Sequence, residues 1–81
     1  EDQAHILRLI GIIKLENSEF EIALQYLEES LSIFKSLDQD YNGALCLHDM
    51  ARIYYNYSNY SVALEYFEKV LLEFEKNNEL V

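Results

Sequence analysis

The chain contains no proline, two glycines (Gly11 and Gly43) and one cysteine. Without proline, and with few β-branched residues, little in the composition interrupts a helix, so a mostly helical chain is expected. The single cysteine, Cys46, excludes an internal disulfide and a cysteine-based zinc site. It points to a reduced, intracellular setting, and the cytoplasm is the expected location. Long apolar runs are missing: stretches such as Ile12-Ile13 and Val70-Leu71-Leu72 are far too short to span a bilayer. No signal-peptide pattern is visible. Positive charge is scarce, with 6 Lys/Arg against 15 Asp/Glu and a net charge of −9. Phosphate backbones and anionic membrane surfaces need a basic footprint, so neither is an expected partner. No glycine-rich phosphate loop, nucleophile elbow or His-Glu-x-x-His motif is present, and no cofactor is implied.

What the chain does have is itself twice. At an offset of 40 residues Ala4 falls on Ala44, Leu7 on Leu47 and Ile13 on Ile53. Ser18 falls on Ser58, Ala23-Leu24 on Ala63-Leu64, Tyr26 on Tyr66, Glu28 on Glu68, Leu31 on Leu71 and Phe34 on Phe74. Self-similarity at a fixed period of about 20–50 residues marks a repeat architecture. The 81 residues make one domain, 1–81, with repeat one over about 4–37 and repeat two over about 44–77. A chain this short buries only about 60–65% of its unfolded surface, so the core is thin. It opens Glu1-Asp2-Gln3 without methionine, as expected of a segment of a longer protein or a processed product.

Apolar periodicity predicts four helices. The first spans 3–16 on Ile6, Leu7, Ile10, Ile13 and Leu15. The second spans 20–37 on Phe20, Ala23, Leu24, Leu27, Leu31 and Phe34. The third spans 41–57 on Leu45, Leu47, Met50, Ala51, Ile53 and Tyr54, with Cys46 as a small core residue rather than a nucleophile. The fourth spans 60–77 on Tyr60, Ala63, Leu64, Phe67, Val70, Leu71 and Phe74. Asn17-Ser18-Glu19, Asp38-Gln39-Asp40 and Ser58-Asn59 interrupt the pattern with residues that favour turns and caps. Links this short make neighbouring helices antiparallel, so each repeat is a helix–turn–helix hairpin.

Repeat two reads Leu47-x-x-Met50-Ala51-x-x-Tyr54 and then Ala63-x-x-x-Phe67, and repeat one reads Leu7-x-x-Ile10-Gly11 and then Ala23-x-x-x-Leu27. This spacing resembles the tetratricopeptide repeat. Gly11, Ala23, Ala51 and Ala63 are small where helices cross, and larger residues a turn away fill the adjoining space. The likeness covers roughly residues 4–77. It departs from the pattern at Lys14, which replaces an aromatic, in the missing proline, and in Ser18 and Ser58 where glycine is usual. The period of 40 exceeds the usual length of about 34. It is similar to the long variant of kinesin light chains, Leu-Gly-Asn-type scaffolds and bacterial Rap-type peptide-sensing regulators. The resemblance implies an all-α stack of two hairpins, four antiparallel helices, with a right-handed superhelical course.

It also implies a non-catalytic protein-interaction scaffold that holds a peptide or helix segment in a concave groove lined by the first helix of each repeat. Placed on this sequence, that face carries His5, Arg8, Ile12, Leu15 and Glu16, and then Leu45, His48, Arg52, Tyr55 and Asn56. The expected partner-binding residues are His5, Arg8, Ile12, Leu15, His48, Arg52, Tyr55 and Asn56. The acids crowd the second and fourth helices, so this face reads as a basic and aromatic strip suited to an acidic group, since a guanidinium grips a carboxylate at two points. The competing reading is that the arginines only pair with neighbours, for example Arg52 with Asp49. A chaperone-tail clamp is disfavoured, because only two repeats are present and the clamp lysines and asparagines are not. His5 and His48 with Asp49 or Glu16 lack the i, i+4 pair of a helix-borne metal site, and no metal is expected.

Stacked repeats normally need three or more units or a polar capping helix. Asn78–Val81 are too short for one, and the fourth helix carries more apolar surface than its hairpin partner can bury. Self-association through the repeat ends is therefore expected unless further repeats adjoin. Two alternatives to a peptide-binding module stay open: a peptide-sensing segment of a larger bacterial-type regulator, and a structural oligomerisation module.

Overall fold

The computed structural model describes residues 2–77. Four helices follow one another: α1 (Asp2–Glu16), α2 (Phe20–Ser36), α3 (Asp40–Asn56) and α4 (Tyr60–Asn77). They pack in chain order, α1 on α2, α2 on α3 and α3 on α4, with a light contact between α1 and α3. This is the two-hairpin stack the periodicity predicts. Helix ends agree with the expected bounds to within a residue or so. Asn78–Val81, expected to be too short for a capping helix, lie outside the described residues.

The three turns are built alike. After α1 the Ser18 N–H donates to the Leu15 carbonyl (2.9 Å) and the Glu19 N–H to the Lys14 carbonyl (2.8 Å). After α2 the Asp38 N–H reaches Lys35 (3.1 Å) and the Gln39 N–H reaches Phe34 (2.9 Å). After α3 the Ser58 N–H reaches Tyr55 (2.9 Å) and the Asn59 N–H reaches Tyr54 (2.9 Å). Each is a Schellman motif, which satisfies the last carbonyls of a helix by turning one residue left-handed. That residue is Ser18 (φ 63°), Asp38 (φ 57°) or Ser58 (φ 64°). A residue with a Cβ sits there at a cost that glycine would avoid. Glu19 and Gln39 begin the next helices without a side-chain cap, so the turn signal in the sequence works through the preceding helix end, not the following start.

The core runs along α2. Leu15, Ala23, Leu27, Met50 and Ile53 form one buried cluster, with Phe20, Leu24, Leu31, Leu47 and Tyr66 packed on it. Ala4, Phe34 and Cys46 form a second. The small residues sit at the close crossings as expected: Ala23 and Ala51 are fully buried, and Ala63 and Gly11 are buried. At Gly11 an added Cβ would lie 2.9 Å from Leu27 Cγ, so the fully buried Leu27 occupies the space of the missing side chain.

Two polar side chains enter this core. Ser30 is fully buried, donates from Oγ to the Ala4 carbonyl (2.7 Å) and accepts from Cys46 Sγ (3.4 Å). Cys46 is itself fully buried, the small core residue the sequence suggests. Burial pushes its thiol pKa up, which outweighs the Ser30 hydrogen bond and the nearby Arg8 charge. It stays a protonated, unreactive thiol at neutral pH. Asp49 is the second polar intruder and belongs to the candidate site.

Candidate functional site

α1 and α3 are joined by charge. Arg8 Nε donates to Asp49 Oδ2 at 2.9 Å across 41 residues of sequence. Arg52, one turn beyond Asp49, places NH1 3.8 Å from Asp49 Oδ1 and NH2 3.3 Å from Glu16 Oε2. His48 Nδ1 lies 3.7 Å from the same Asp49 oxygen. Asp49 is only 3% exposed, and a carboxylate at that depth needs charged or hydrogen-bonded partners. The arginines supply them. Both arginines pair with neighbouring acids, Arg8 with Asp49 and Arg52 with Asp49 and Glu16. The strip that reads as basic in sequence is charge-balanced in three dimensions: Arg8 and Arg52 stand against Asp49 and Glu16.

The two arginines differ in how firmly they are held. Arg8 is mostly covered and is fixed to a buried acid, with side-chain exposures of 23% and 4% for the pair. The Arg52–Glu16 pair is open, at 41% and 63%. Exposed pairs of this kind contribute little and exchange readily with other ligands.

Arg52, Tyr55 and Asn56 come together with Phe67 of α4 around a cleft of about 420 Å³. Asn56 is held there by donating Nδ2 to the Arg52 carbonyl (2.8 Å). Tyr55 is 60% exposed and leans on Tyr60, with ring centroids 5.3 Å apart. Phe67 also meets His48 edge-on at 5.7 Å. At the far end of α1, His5 stands edge-on to Phe34 at 5.0 Å. Ile12 is half-buried on α1. Leu15 is a correction. The repeat pattern places it in the groove, but it is 5% exposed and packs with Ala23, Leu27, Met50 and Ile53. The second hairpin lies over that turn of α1 and takes Leu15 into the core.

A second cleft, of about 280 Å³, opens between the later halves of α2 and α4 and the start of α3. Its floor includes Leu31, Ala44 and Leu47, and Lys35, Lys69 and Lys76 border it with Asp40 and Glu73. The sequence gives no sign of this gathering, because the lysines lie on two helices whose overall charge is acidic. Among the described residues no group of three or more His, Cys, Asp or Glu could hold a metal ion, and no helix is long and apolar enough to cross a membrane.

A search of curated proteins and a search of solved structures each found no match. A family model for the tetratricopeptide repeat matches residues 2–71. The match takes in both hairpins up to the last turns of α4, including the small-residue crossings and the α1–α3 face. Repeats of this kind typically act as non-catalytic scaffolds in protein–protein interaction. The family model, the four-helix order and the paired small residues agree: this chain belongs to the tetratricopeptide repeat family.

Proposed function

We propose that the chain is a protein-interaction module that takes a peptide or helix segment along the face formed by α1 and α3. The observation that carries this is the cleft of Arg52, Tyr55, Asn56 and Phe67. It combines an exposed aromatic, an amide and a guanidinium, the side-chain types that anchor small interfaces. His5, Arg8, Ile12 and His48 extend the same face along the stack. An acidic group on the partner fits Arg52 specifically. Of its two partners, Asp49 and Glu16, Glu16 is exposed and weakly held, so a carboxylate from a partner can replace it. Arg8 serves the fold, through Asp49. A reducing compartment such as the cytoplasm suits the single buried thiol.

Selection from a displayed peptide library tests the reading. Peptides carrying an acid near an apolar residue are expected to be enriched. Binding should weaken about tenfold or more in the Arg52→Ala/Tyr55→Ala variant, with its helical circular dichroism unchanged. Enriched peptides that bind this variant as tightly as the parent chain would sink the proposal.

A second reading, self-association through the end faces, is favoured by a separate observation. Ile6, Leu9 and Ile13 of α1 are 54–58% exposed, and Leu64 and Leu71 of α4 are each 59% exposed. Apolar stripes at both ends of a small stack are characteristic of association surfaces.

A further inference from the structure

The 40-residue correspondence gives each of these stripes a covered counterpart inside the same molecule. Ile6, Leu9 and Ile13 correspond to Cys46, Asp49 and Ile53 of α3, which are 0%, 3% and 0% exposed. Leu64 and Leu71 correspond to Leu24 and Leu31 of α2, which pack on the cluster containing Met50 and Ile53. Among the described residues, α1 therefore presents an α3-type face with no helix on it, and α4 presents an α2-type face with no helix beneath it. The two ends are the two halves of the junction the chain already makes between α2 and α3.

We infer that two copies of this chain associate head to tail, with α4 of one copy lying on α1 of the next in the register that α2 takes on α3. This rests on the self-association reading and adds its geometry. Within the internal junction Ser30 meets Cys46; the corresponding positions between copies are Val70, already buried in its own chain, and the exposed Ile6, so no polar pair has to be matched there. The internal junction contains the buried acid Asp49; between copies its place is taken by Leu9, and no carboxylate needs neutralising. The counterpart of Tyr54 is Lys14, which pairs with Glu19 at 3.8 Å within the chain; between copies the counterpart of Glu28, Glu68, adds a second acid beside it. The position that tightens is Gln3. Its counterpart Gly43 leaves a Cβ only 3.2 Å from Leu31 Cδ1, so Leu71, exposed and free to change rotamer, must move aside for Gln3.

A head-to-tail contact uses two different surfaces, so each copy keeps one face open and the assembly grows unless it closes into a ring. Symmetric pairing would use one face twice and stop at a dimer. Leu9→Glu and Leu71→Glu separate these cases, and both residues are exposed in the single chain, so each variant should keep its fold. Sedimentation velocity of the 81-residue chain over about 10 µM to 1 mM, a range suited to a weak interface, is expected to show mass rising past the dimer. Each variant alone should remain a monomer with unchanged helical circular dichroism. An equimolar mixture should form a 1:1 dimer and stop there, because one intact face survives on each partner. A parent chain that stays monomeric throughout overturns self-association and this inference with it. A parent chain that associates while either variant alone still dimerises shows a symmetric contact, and overturns the head-to-tail register only.

Discussion

Repeat one and repeat two share a backbone plan but use their equivalent positions differently. Gly11 and Leu27 meet at the close crossing of repeat one, and repeat two has Ala51 and Phe67 at the same positions. On the joining face, repeat one has Arg8 and Leu9 where repeat two has His48 and Asp49. Arg8 of the first repeat needs Asp49 of the second, and neither has an equivalent partner at its own counterpart position. Ser30 does the same in reverse, linking α1 and α3 from α2, while its counterpart Val70 is simply buried. Identities such as Leu24/Leu64, Leu31/Leu71 and Ile13/Ile53 supply the apolar packing, which in the first member or the second joins the hairpins. The polar differences, Arg8–Asp49 and Ser30–Cys46, add a lock between the hairpins that is made once.

The strongest test of this contrast is to erase it at Asp49. Asp49→Leu copies repeat one onto repeat two and leaves Arg8 largely covered without its acid. Stability to urea is expected to fall by about 2–3 kcal/mol, below the full cost for a wholly buried pair because both arginines keep some access to water. Adding Arg8→Leu should recover a large part of that loss, a non-additive result that a double-mutant cycle would read directly. A loss under about 0.5 kcal/mol, the usual range for surface changes, would show that the link does not hold the hairpins together.

The glycines offer a smaller test, with two opposite signs. Gly11→Ala gains about 1 kcal/mol of helix propensity but forces the buried Leu27 to move, at about 1–3 kcal/mol. A net loss of about 1 kcal/mol is expected in urea or thermal unfolding. Gly43→Ala meets only the Leu31 Cδ1 methyl, at 3.2 Å, which can shift. It is expected to be neutral or stabilising by up to about 1 kcal/mol. Equal effects at the two sites would refute the account of Gly11 as space taken by Leu27.

The turns should give the smallest effects. Ser18→Gly and Ser58→Gly relieve left-handed strain but free the unfolded chain, so each is expected to add about 0.5–1 kcal/mol. Asp38→Gly should match them, because its turn has the same hydrogen bonds. A Tm that fell for Asp38→Gly alone would mean that the turn between repeats differs from the turns within them.

The hairpins were legible in the sequence because their signals are local: small residues at a fixed offset, apolar residues at the helical period, and polar breaks between them. The joining face was only half legible. Arg8, Arg52 and His48 could be placed on one side of their helices, but the acid that fixes Arg8 lies 41 residues away. Periodicity gives no measure of which face a neighbouring hairpin covers. For the same reason the apolar period of the first helix does not separate Leu15, which is buried, from Ile6 and Ile13, which face outward. In each case the helix follows from local periodicity, and the stacking decides which side is inside. The lysine-bordered cleft also depends on stacking, since it exists only where α2, α3 and α4 converge.

The left-handed residues Ser18, Asp38 and Ser58 are spaced 20 apart, half the period by which the chain matches itself. Measured by its backbone, the ruler of this molecule has a 20-residue step, and the connection from α2 to α3 is as much a hairpin as the other two. The repeat boundary is then a fact about side chains and not about the chain path. A helix-and-turn step could be added or removed without redesigning any junction type, and only the alternation of faces would show that the count had changed from even to odd.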